Sequence, residues 1–317
     1  MKISGFTFMR NTSTLYYPFL ESIQSILPIL DEFVIAMGDN DPDDQTEFLV
    51  RGLNSDKIKV IKTFWDLDKY KNGTIYAQQT DLAKEACTGD WLFYLQSDEV
   101  VHENYLEPIV THCKNYLMDS SVEGFLFDYK HFWGDYNHYI QSHCWYPQEI
   151  RIIRNRKDIH SYGDAQSFKS IEHFDYVNYR TKIGTRKLQV KKIPASIYHY
   201  GWVRPPECMQ TKSKVMDGFY HDKQKVQASY NAKPMHFDYG NMSKLTRFNE
   251  SHPAVMHSFI EKFNWAERLN YSKDYKPKRA LLKHEKIKYR ILSWIEQKLL
   301  GGKQLFGYSN WVILKNQ

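Results

Sequence analysis

Short apolar runs alternate with amphipathic segments over the first part of the chain. Ile3 to Phe8, Phe33 to Met37, Ile58 to Ile61 and Trp91 to Leu95 read as strands. Between them, Leu15 to Leu27, Gln45 to Leu53 and Thr74 to Cys87 read as helices. The first is capped near Thr12 or Ser13, and the last carries apolar residues at Ile75, Leu82, Ala83 and Ala86. Strand and helix in alternation argue for βαβ units, a parallel sheet and right-handed crossovers. After residue 123 the texture changes. Gly124 to Tyr129, Ile150 to Arg154 and Lys187 to Ile193 read as strands joined by connections rich in His, Tyr and Gly. From Pro205 onward the chain reads as mainly helical and basic. No internal repeat, low-complexity linker or sharp boundary is visible. A length of 317 residues suits one α/β core with an elaborated C-terminal part.

Composition narrows the classes. Hydrophobic residues make up 42%, enough for a sizeable core, and the net charge is +6. That charge is weaker than a dedicated nucleic-acid binder carries, so no nucleic-acid partner is expected. It suits an anionic substrate or an anionic membrane surface. The aromatic content of 15% is high; such rings fill cores and also line sugar and nucleobase sites. Cys87, Cys113, Cys144 and Cys208 show no CxxC pairing, which points to neither zinc nor a disulfide framework and to a reduced, cytoplasmic setting. The N-terminal residues lack the apolar run of a signal peptide, and no stretch reaches the roughly 20 apolar residues of a membrane span.

Residues 273–303 hold ten Lys/Arg against three Asp/Glu. Ile287, Ile291, Trp294 and Ile295 fall on one face of a helix there. Such a helix packs on a core or lies on an anionic membrane; the second reading places the protein peripherally at the inner face of a membrane.

The segment with most chemical content is Gly89-Asp90-Trp91-Leu92-Phe93-Tyr94-Leu95-Gln96-Ser97-Asp98-Glu99. An apolar strand ends in two adjacent carboxylates. In open α/β sheets ligands bind beyond the carboxyl ends of the strands, and acids there can hold a divalent metal, which in turn can hold a diphosphate. The competing reading is that Asp98 and Glu99 cap a helix beginning near Glu103. A second acidic loop, with Asp39 and Asp41, follows the strand at Phe33 to Met37. Its carboxylates can accept from a base N–H or ribose hydroxyls, or the loop is simply a capped turn. A third feature is Ser196-Ile197-Tyr198-His199-Tyr200-Gly201-Trp202, whose histidine is either structural or a metal ligand.

Taken in order, these pieces resemble the GT-A glycosyltransferases of the family 2-like group, over residues 1–205. The matching segments are Ile3 to Asn11, the acidic loop Asp39 to Thr46, and Gln78-Gln79. Gly89-Asp90-Trp91, Gln96-Ser97-Asp98-Glu99, Arg151-Ile152-Ile153-Arg154-Asn155, Tyr162-Gly163 and His199 follow in the same order. There are two departures. Gln96 stands where the family's metal motif has its first acid. Asp164-Ala165-Gln166-Ser167 stands where related members carry His-Glu.

The resemblance implies an α/β GT-A fold with a Rossmann-like, mostly parallel central sheet over 1–205, followed by a mainly helical basic C-terminal region over 206–317 that faces acceptor or membrane. It implies a hexosyltransferase-type enzyme (EC 2.4) of polysaccharide or cell-envelope biosynthesis. Such an enzyme moves a sugar from a nucleotide-diphosphate donor, UDP-sugar foremost, to a saccharide, lipid-linked or protein acceptor with inversion. Mn²⁺ or Mg²⁺ is held by Asp98 with His199 as second ligand. Donor-binding candidates are Asp39, Asp41, Gln79, Gln96, Ser97, Arg154, Arg204 and Lys212; Arg151 is a further phosphate partner. Glu99 orients donor or acceptor sugar. Asp164 is the expected general base, with Glu149 and Asp128 behind it. Two other readings stay open: a catalytically weak or inactive binding protein on the same fold, which Gln96 keeps alive, and a nucleotidyltransferase. Against the latter, Met9-Arg10-Asn11-Thr12-Ser13 lacks a glycine-rich triphosphate loop.

Overall fold

The structure is a computed structural model that describes residues 1–315. Its first half follows the alternating pattern: β1 (Ile3–Met9), α1 (Phe19–Ile26), β2 (Glu32–Met37), α2 (Thr46–Arg51), β3 (Ile58–Lys62), α3 (Thr74–Glu85) and β4 (Trp91–Tyr94). Then come β5 (Glu99–Val101), α4 (Leu106–Asn115), β6 (Gly124–Trp133), β7 (His138–Ile140), β8 (Gln148–Arg154), β9 (Ile159–Tyr162), β10 (Ser167–Ile171) and the long β11 (Thr185–Trp202). The remainder carries α5 (Pro206–Tyr220), α6 (Lys223–Asn231), β12 (Thr246–Arg247), α7 (His257–Ile260), α8 (Ile287–Leu299) and β13 (Trp311–Ile313).

The sheet runs β3-β2-β1-β4-β8-β6-β11-β10-β9. Strands β3, β2, β1 and β4 are mutually parallel. Past β4 the sheet is mixed: β8 is antiparallel to both β4 and β6, and β6 is parallel to β11. The expectation of a mostly parallel sheet therefore holds for β3, β2, β1 and β4 and gives way to mixed pairing beyond them. Alternate residues of the parallel strands feed opposite faces. Phe33, Ile35, Met37 and Phe93 pack with α1 and α4 residues, whereas Val34, Ala36, Leu92 and Tyr94 pack with α3. Both faces are thus covered, and each fully buried large apolar side chain contributes about 1.5–3 kcal/mol.

Two expectations are corrected. The first helix does not start at Leu15. Residues 11–17 form turns in which Asn11 and Tyr16 adopt left-handed backbone, with φ of 54° and 58°, and Pro18 precedes the helix that begins at Phe19. The described residues after 205 are not mainly helical either: long irregular stretches join the helices, and β12 and β13 return to the sheet. Glycine, proline and short polar residues interrupt the apolar periodicity there, and aromatic packing replaces it. Met209, Tyr239, Met242, Phe248, Met256 and Trp265 form one apolar cluster with Phe132, Trp133, Tyr198 and Tyr200 of β6 and β11.

Helix α8 has the expected amphipathic face, but turned outward. Ile287, Ile291 and Trp294 are 73%, 56% and 58% exposed. The helix instead seats itself through polar contacts: Ser293 Oγ accepts from the His143 backbone N–H at 2.9 Å, and Glu296 pairs with His143 Nδ1 at 2.6 Å. Among the described residues, no helix is long and apolar enough to cross a membrane.

Candidate active site at the carboxyl ends of the parallel strands

A cavity of about 400 Å³ opens where β1, β2, β3 and β4 end. Its walls come from Phe8 to Asn11 at the end of β1, Asp41 after β2, Trp65 after β3, Gln96 to Asp98 after β4, Asp164 in the β9–β10 turn, and Lys212 to Tyr220 of α5. One side is aromatic. Phe8 stacks on Tyr76 at 5.5 Å between centroids, Trp65 lies 5.7 Å from both Phe8 and Phe219, and Arg10 lies over Trp65. Trp65 Nε1 is buried without a hydrogen-bond partner. Flat apolar walls with a free donor suit a nucleobase.

The opposite end is charged. Strand β5 pairs antiparallel with β11, setting Glu99 opposite His199, and the Tyr200 N–H donates to the Asp98 carbonyl at 2.8 Å. This brings Asp98 Oδ2 to 3.6 Å from His199 Nε2. A register shift in β11 between His199 and Trp202 leaves Gly201 beside the pair. A Cβ on Gly201 would lie 2.5 Å from His199 Nε2 and 2.6 Å from Asp98 Oδ2. Only glycine leaves the space between the two side chains open.

Positive charge surrounds this point. Lys212 Nζ lies 3.4 Å from Asp98 Oδ2 and donates to the Gly201 carbonyl at 2.7 Å. Arg204 is fully buried; its Nη1 donates to the Leu15 carbonyl at 2.8 Å, while its Nε and Nη2 have no partner. Both cations border the Tyr17 ring, Arg204 at 4.6 Å and Lys212 at 4.9 Å. Burial and the neighbouring guanidinium push Lys212 down to about 7, against the pull of Asp98. Burial alone would raise Asp98, but the adjacent His199, Lys212 and Arg204 hold its carboxyl far below the usual carboxylate range. A buried guanidinium with two free donors beside a depressed ammonium is an anion-seeking arrangement.

The residues fit a hard divalent cation. Asp98 offers an oxygen and His199 a ring nitrogen across an open gap. Among the described residues, no group of three or more His, Cys, Asp or Glu could hold a metal by itself. Mg²⁺ and Mn²⁺ accept such a sparse protein set when phosphate oxygens and water fill the other positions.

The sequence candidates divide. Gln96, Ser97, Asp98, Asp41, Asp164 and Lys212 line the cavity. Asp164 is half-buried and accepts from the Tyr220 hydroxyl at 3.2 Å. His199 and Arg204 stand against its charged end. Asp39 turns aside: it pairs with Arg10 at 3.4 Å and accepts from the Trp65 N–H. Gln96 donates to the Ala165 carbonyl at 3.3 Å, so its amide ties β4 to the turn carrying Asp164.

Six expectations are corrected. Glu99 is fully buried, bidentate with Arg151 at 2.8 Å and accepting from the Tyr129 hydroxyl, so neither Glu99 nor Arg151 is free for a substrate. Breaking such a buried pair by removing one partner typically costs about 3–5 kcal/mol, which makes it a structural link between β5 and β8. Glu149 is fully buried against Ser167 and Gln166, and burial raises its pKa. Asp128 bonds Gln148 and Lys192 away from the cavity. Gln79 is buried and holds Thr63 and the Phe64 carbonyl. Arg154 sits at the wrong end of the sheet. Because β8 runs antiparallel to β4, it pairs opposite Trp91, where its guanidinium serves the carbonyls of Tyr116, Leu117 and Val122.

Residues that sequence reasoning missed include Tyr17, Trp65, His131 and Gly201. Only Gly201 lay within a segment already singled out; the others are gathered by loops and by the β6–β11 pairing.

Comparison with family models and with curated proteins finds no match. Comparison with solved structures finds S. aureus TarS at 13% identity and a TM-score of 0.38, covering 73% of this chain and 43% of that one. TarS residues 1–349 in complex with UDP-GlcNAc give 13% identity and a TM-score of 0.36, covering 73% and 72%. Glucosyl-3-phosphoglycerate synthase from Mycobacterium tuberculosis, in complex with Mn²⁺, UDP-glucose and phosphoglyceric acid, gives 14% identity and a TM-score of 0.27, covering 41% and 44%. The chain thus spans less than half the length of the first TarS structure.

Proposed function

We propose that this protein is a glycosyltransferase that moves a sugar from a nucleoside-diphosphate donor, foremost a UDP-sugar, to an acceptor hydroxyl with inversion. The observation that carries the reading is the Asp98–His199 pair facing across Gly201, beside the Arg204 guanidinium with its free Nε and Nη2, at the end of an aromatic-walled cavity. The base would stack among Phe8, Trp65 and Tyr76, with Asp41 and Asn11 near the ribose. Arg204 and Lys212 would bind the diphosphate. A Mn²⁺ or Mg²⁺ ion held by Asp98 and His199 would supply charge neutralisation for the leaving diphosphate. Asp164, partly open to solvent at the cavity mouth, would take the proton from the acceptor hydroxyl. Residues 1–205 would carry the donor site, and 206–317 would add the α5 wall and the acceptor-facing surface.

A thermal-shift panel tests this: UDP, GDP, CDP and dTDP, each with and without Mn²⁺, on wild type and Asp98→Ala. A ligand at 100 times its dissociation constant stabilises the native state by about 2.7 kcal/mol. One nucleotide is expected to stabilise the wild type strongly with Mn²⁺ and to lose that metal-dependent increment in Asp98→Ala. No response to any nucleotide would overturn the reading. Nucleotide binding without sugar transfer would instead favour a non-catalytic binding protein, as the neutral Gln96 allows.

We further propose that α8 brings the protein to an anionic membrane surface, where a lipid-linked acceptor would reside. The exposed Ile287, Ile291 and Trp294 are flanked by Lys288, Arg290 and Lys298. The nearby acids point inward, Glu296 to His143 and Glu285 to Arg279. The outer face therefore presents apolar and positive groups together, as interfacial helices do. The full chain is expected to co-sediment with phosphatidylglycerol vesicles and to lose that binding in an Ile287→Ser, Trp294→Ser double variant. Equal sedimentation of the two proteins would dispose of the idea.

A further inference from the structure

His131 lies one strand away from the cavity and does not line it. It is 2% exposed on β6, directly opposite His199 in the parallel β6–β11 register. Its Nε2 lies 2.8 Å from the Tyr146 carbonyl, and its Nδ1 lies 2.9 Å from His199 Nδ1. These two contacts fix protons that coordinates do not display.

A carbonyl oxygen only accepts, so His131 Nε2 must carry a hydrogen. A neutral His131 then has its lone pair on Nδ1. Two ring nitrogens at hydrogen-bond distance cannot both be acceptors, so His199 Nδ1 must carry the shared hydrogen. The lone pair of a neutral His199 is thereby assigned to Nε2, the atom that faces Asp98 across Gly201. The alternative is a doubly protonated His131 that donates to His199 and forces the opposite tautomer. That cation would sit against Tyr129, whose ring already carries the Arg151 guanidinium at 5.2 Å. Ring contacts with Trp145 and Tyr146 at 4.9 Å and 4.6 Å enclose the imidazole and exclude the water that would solvate the charge.

We infer that His131 is a positioning residue that sets the tautomer of His199 and so presents the Nε2 lone pair to a divalent cation shared with Asp98. This rests on the reading of Asp98 and His199 as a metal pair, and it deepens that reading. Such outer partners fix ring orientation and raise ligand basicity; their loss typically costs about 10–100-fold in metal affinity.

The test uses the full chain. Long-range ¹H–¹⁵N spectra of the metal-free wild type, recorded at alkaline pH so that His199 is neutral, are expected to show its single ring proton on Nδ1 and a bare Nε2. His131→Leu, which removes the acceptor, is expected to shift His199 toward the Nε2–H form and to weaken Mn²⁺ binding about 10–100-fold, measured by paramagnetic resonance with UDP present. His131→Asn, whose amide oxygen can replace Nδ1 as acceptor, is expected to restore most of both. A neutral wild-type His199 whose single ring proton lies on Nε2 overturns the inference, whether or not His131→Leu folds. Unchanged Mn²⁺ affinity and tautomer in His131→Leu overturn it too. If wild type binds no Mn²⁺ with UDP, the metal reading itself fails, and the tautomer spectra separate that failure from this one.

Discussion

Asp164→Asn is expected to lower turnover by about 10²–10⁴-fold while donor binding stays within a few-fold of wild type. The range is what a positioned general base contributes, equivalent to about 3–5 kcal/mol of barrier. The substitution keeps size and the contact with the Tyr220 hydroxyl, and removes only the capacity to accept a proton. Asp164 suits the role for a geometric reason. Gly163 and Ala165 on either side adopt left-handed backbone, with φ of 68° and 62°. The β9–β10 turn is therefore tightly bent and presents the carboxylate at the cavity mouth. Backbone conformations of this kind, costly for Ala165, persist where the surroundings over-determine them. Gln96 supplies part of that support through its bond to the Ala165 carbonyl. The competing carboxylates are poorly placed, since Glu99 and Glu149 are each enclosed and hydrogen-bonded within the sheet. The measurement is steady-state transfer with the nucleotide found by thermal shift, alongside the donor dissociation constant. Turnover retained within tenfold would remove Asp164 from the mechanism.

Where sequence reading succeeded and failed follows from what local pattern encodes. Apolar runs separated by amphipathic segments report burial and period, so β1 to β4 and α3 were legible within a residue or two. The strand-end rule then located Asp98, because parallel strands all present their carboxyl ends on one side. The rule fails silently when a strand runs the other way. Arg154 looked like a phosphate partner until β8 proved antiparallel to β4, which sends it to the far edge of the sheet. Spacing could have warned against pairing Arg151 with Arg154, since residues three apart in a strand face opposite sides. Glu99 illustrates a second limit. Adjacent carboxylates look equivalent in sequence, but strand alternation puts Asp98 into the cavity and Glu99 into the core, where Arg151 meets it. Non-local partners such as His131, Tyr17 and Trp65 leave no local signal, because their contacts are set by strand pairing and loop closure rather than by neighbours along the chain.

On the proposed function, the charge pattern predicts that the metal and the donor bind together. Lys212 and Arg204 already crowd one carboxylate, and burial, with the Arg204 guanidinium beside it, depresses Lys212 to about 7. A bare divalent cation entering that field meets repulsion from both. A diphosphate would reverse the sign, give Arg204 its missing acceptors and supply oxygens to a cation held by Asp98 and His199. Weak Mn²⁺ binding alone and strong binding with nucleotide is the behaviour this balance favours.

Gly201→Ala is expected to abolish the Mn²⁺-dependent part of nucleotide binding while the protein still folds. The added methyl would stand 2.5 Å from His199 Nε2 and 2.6 Å from Asp98 Oδ2, well inside contact distance. Both side chains are tethered where they stand, His199 by His131 and the Asp98 carboxylate by Lys212 at 3.4 Å. The backbone of Gly201 lies outside the left-handed region, so alanine adds crowding without backbone strain. Overpacking of this kind costs about 1–3 kcal/mol, tolerable for a domain with a core this size. The methyl nevertheless occupies the gap where a cation would sit. At saturating Mn²⁺ and nucleotide, the variant should therefore lose the metal-dependent stabilisation seen in wild type, about 2.7 kcal/mol at 100 times the dissociation constant. Gly218→Ala in α5 is the matched control, because nothing lies within 4 Å of its added Cβ. Helical alanine there should leave metal binding intact and raise stability by about 0.5–1 kcal/mol. If Gly201→Ala binds Mn²⁺ and nucleotide as tightly as the control, the space between Asp98 and His199 is not where the cation sits. The diphosphate would then rest on Lys212 and Arg204 alone.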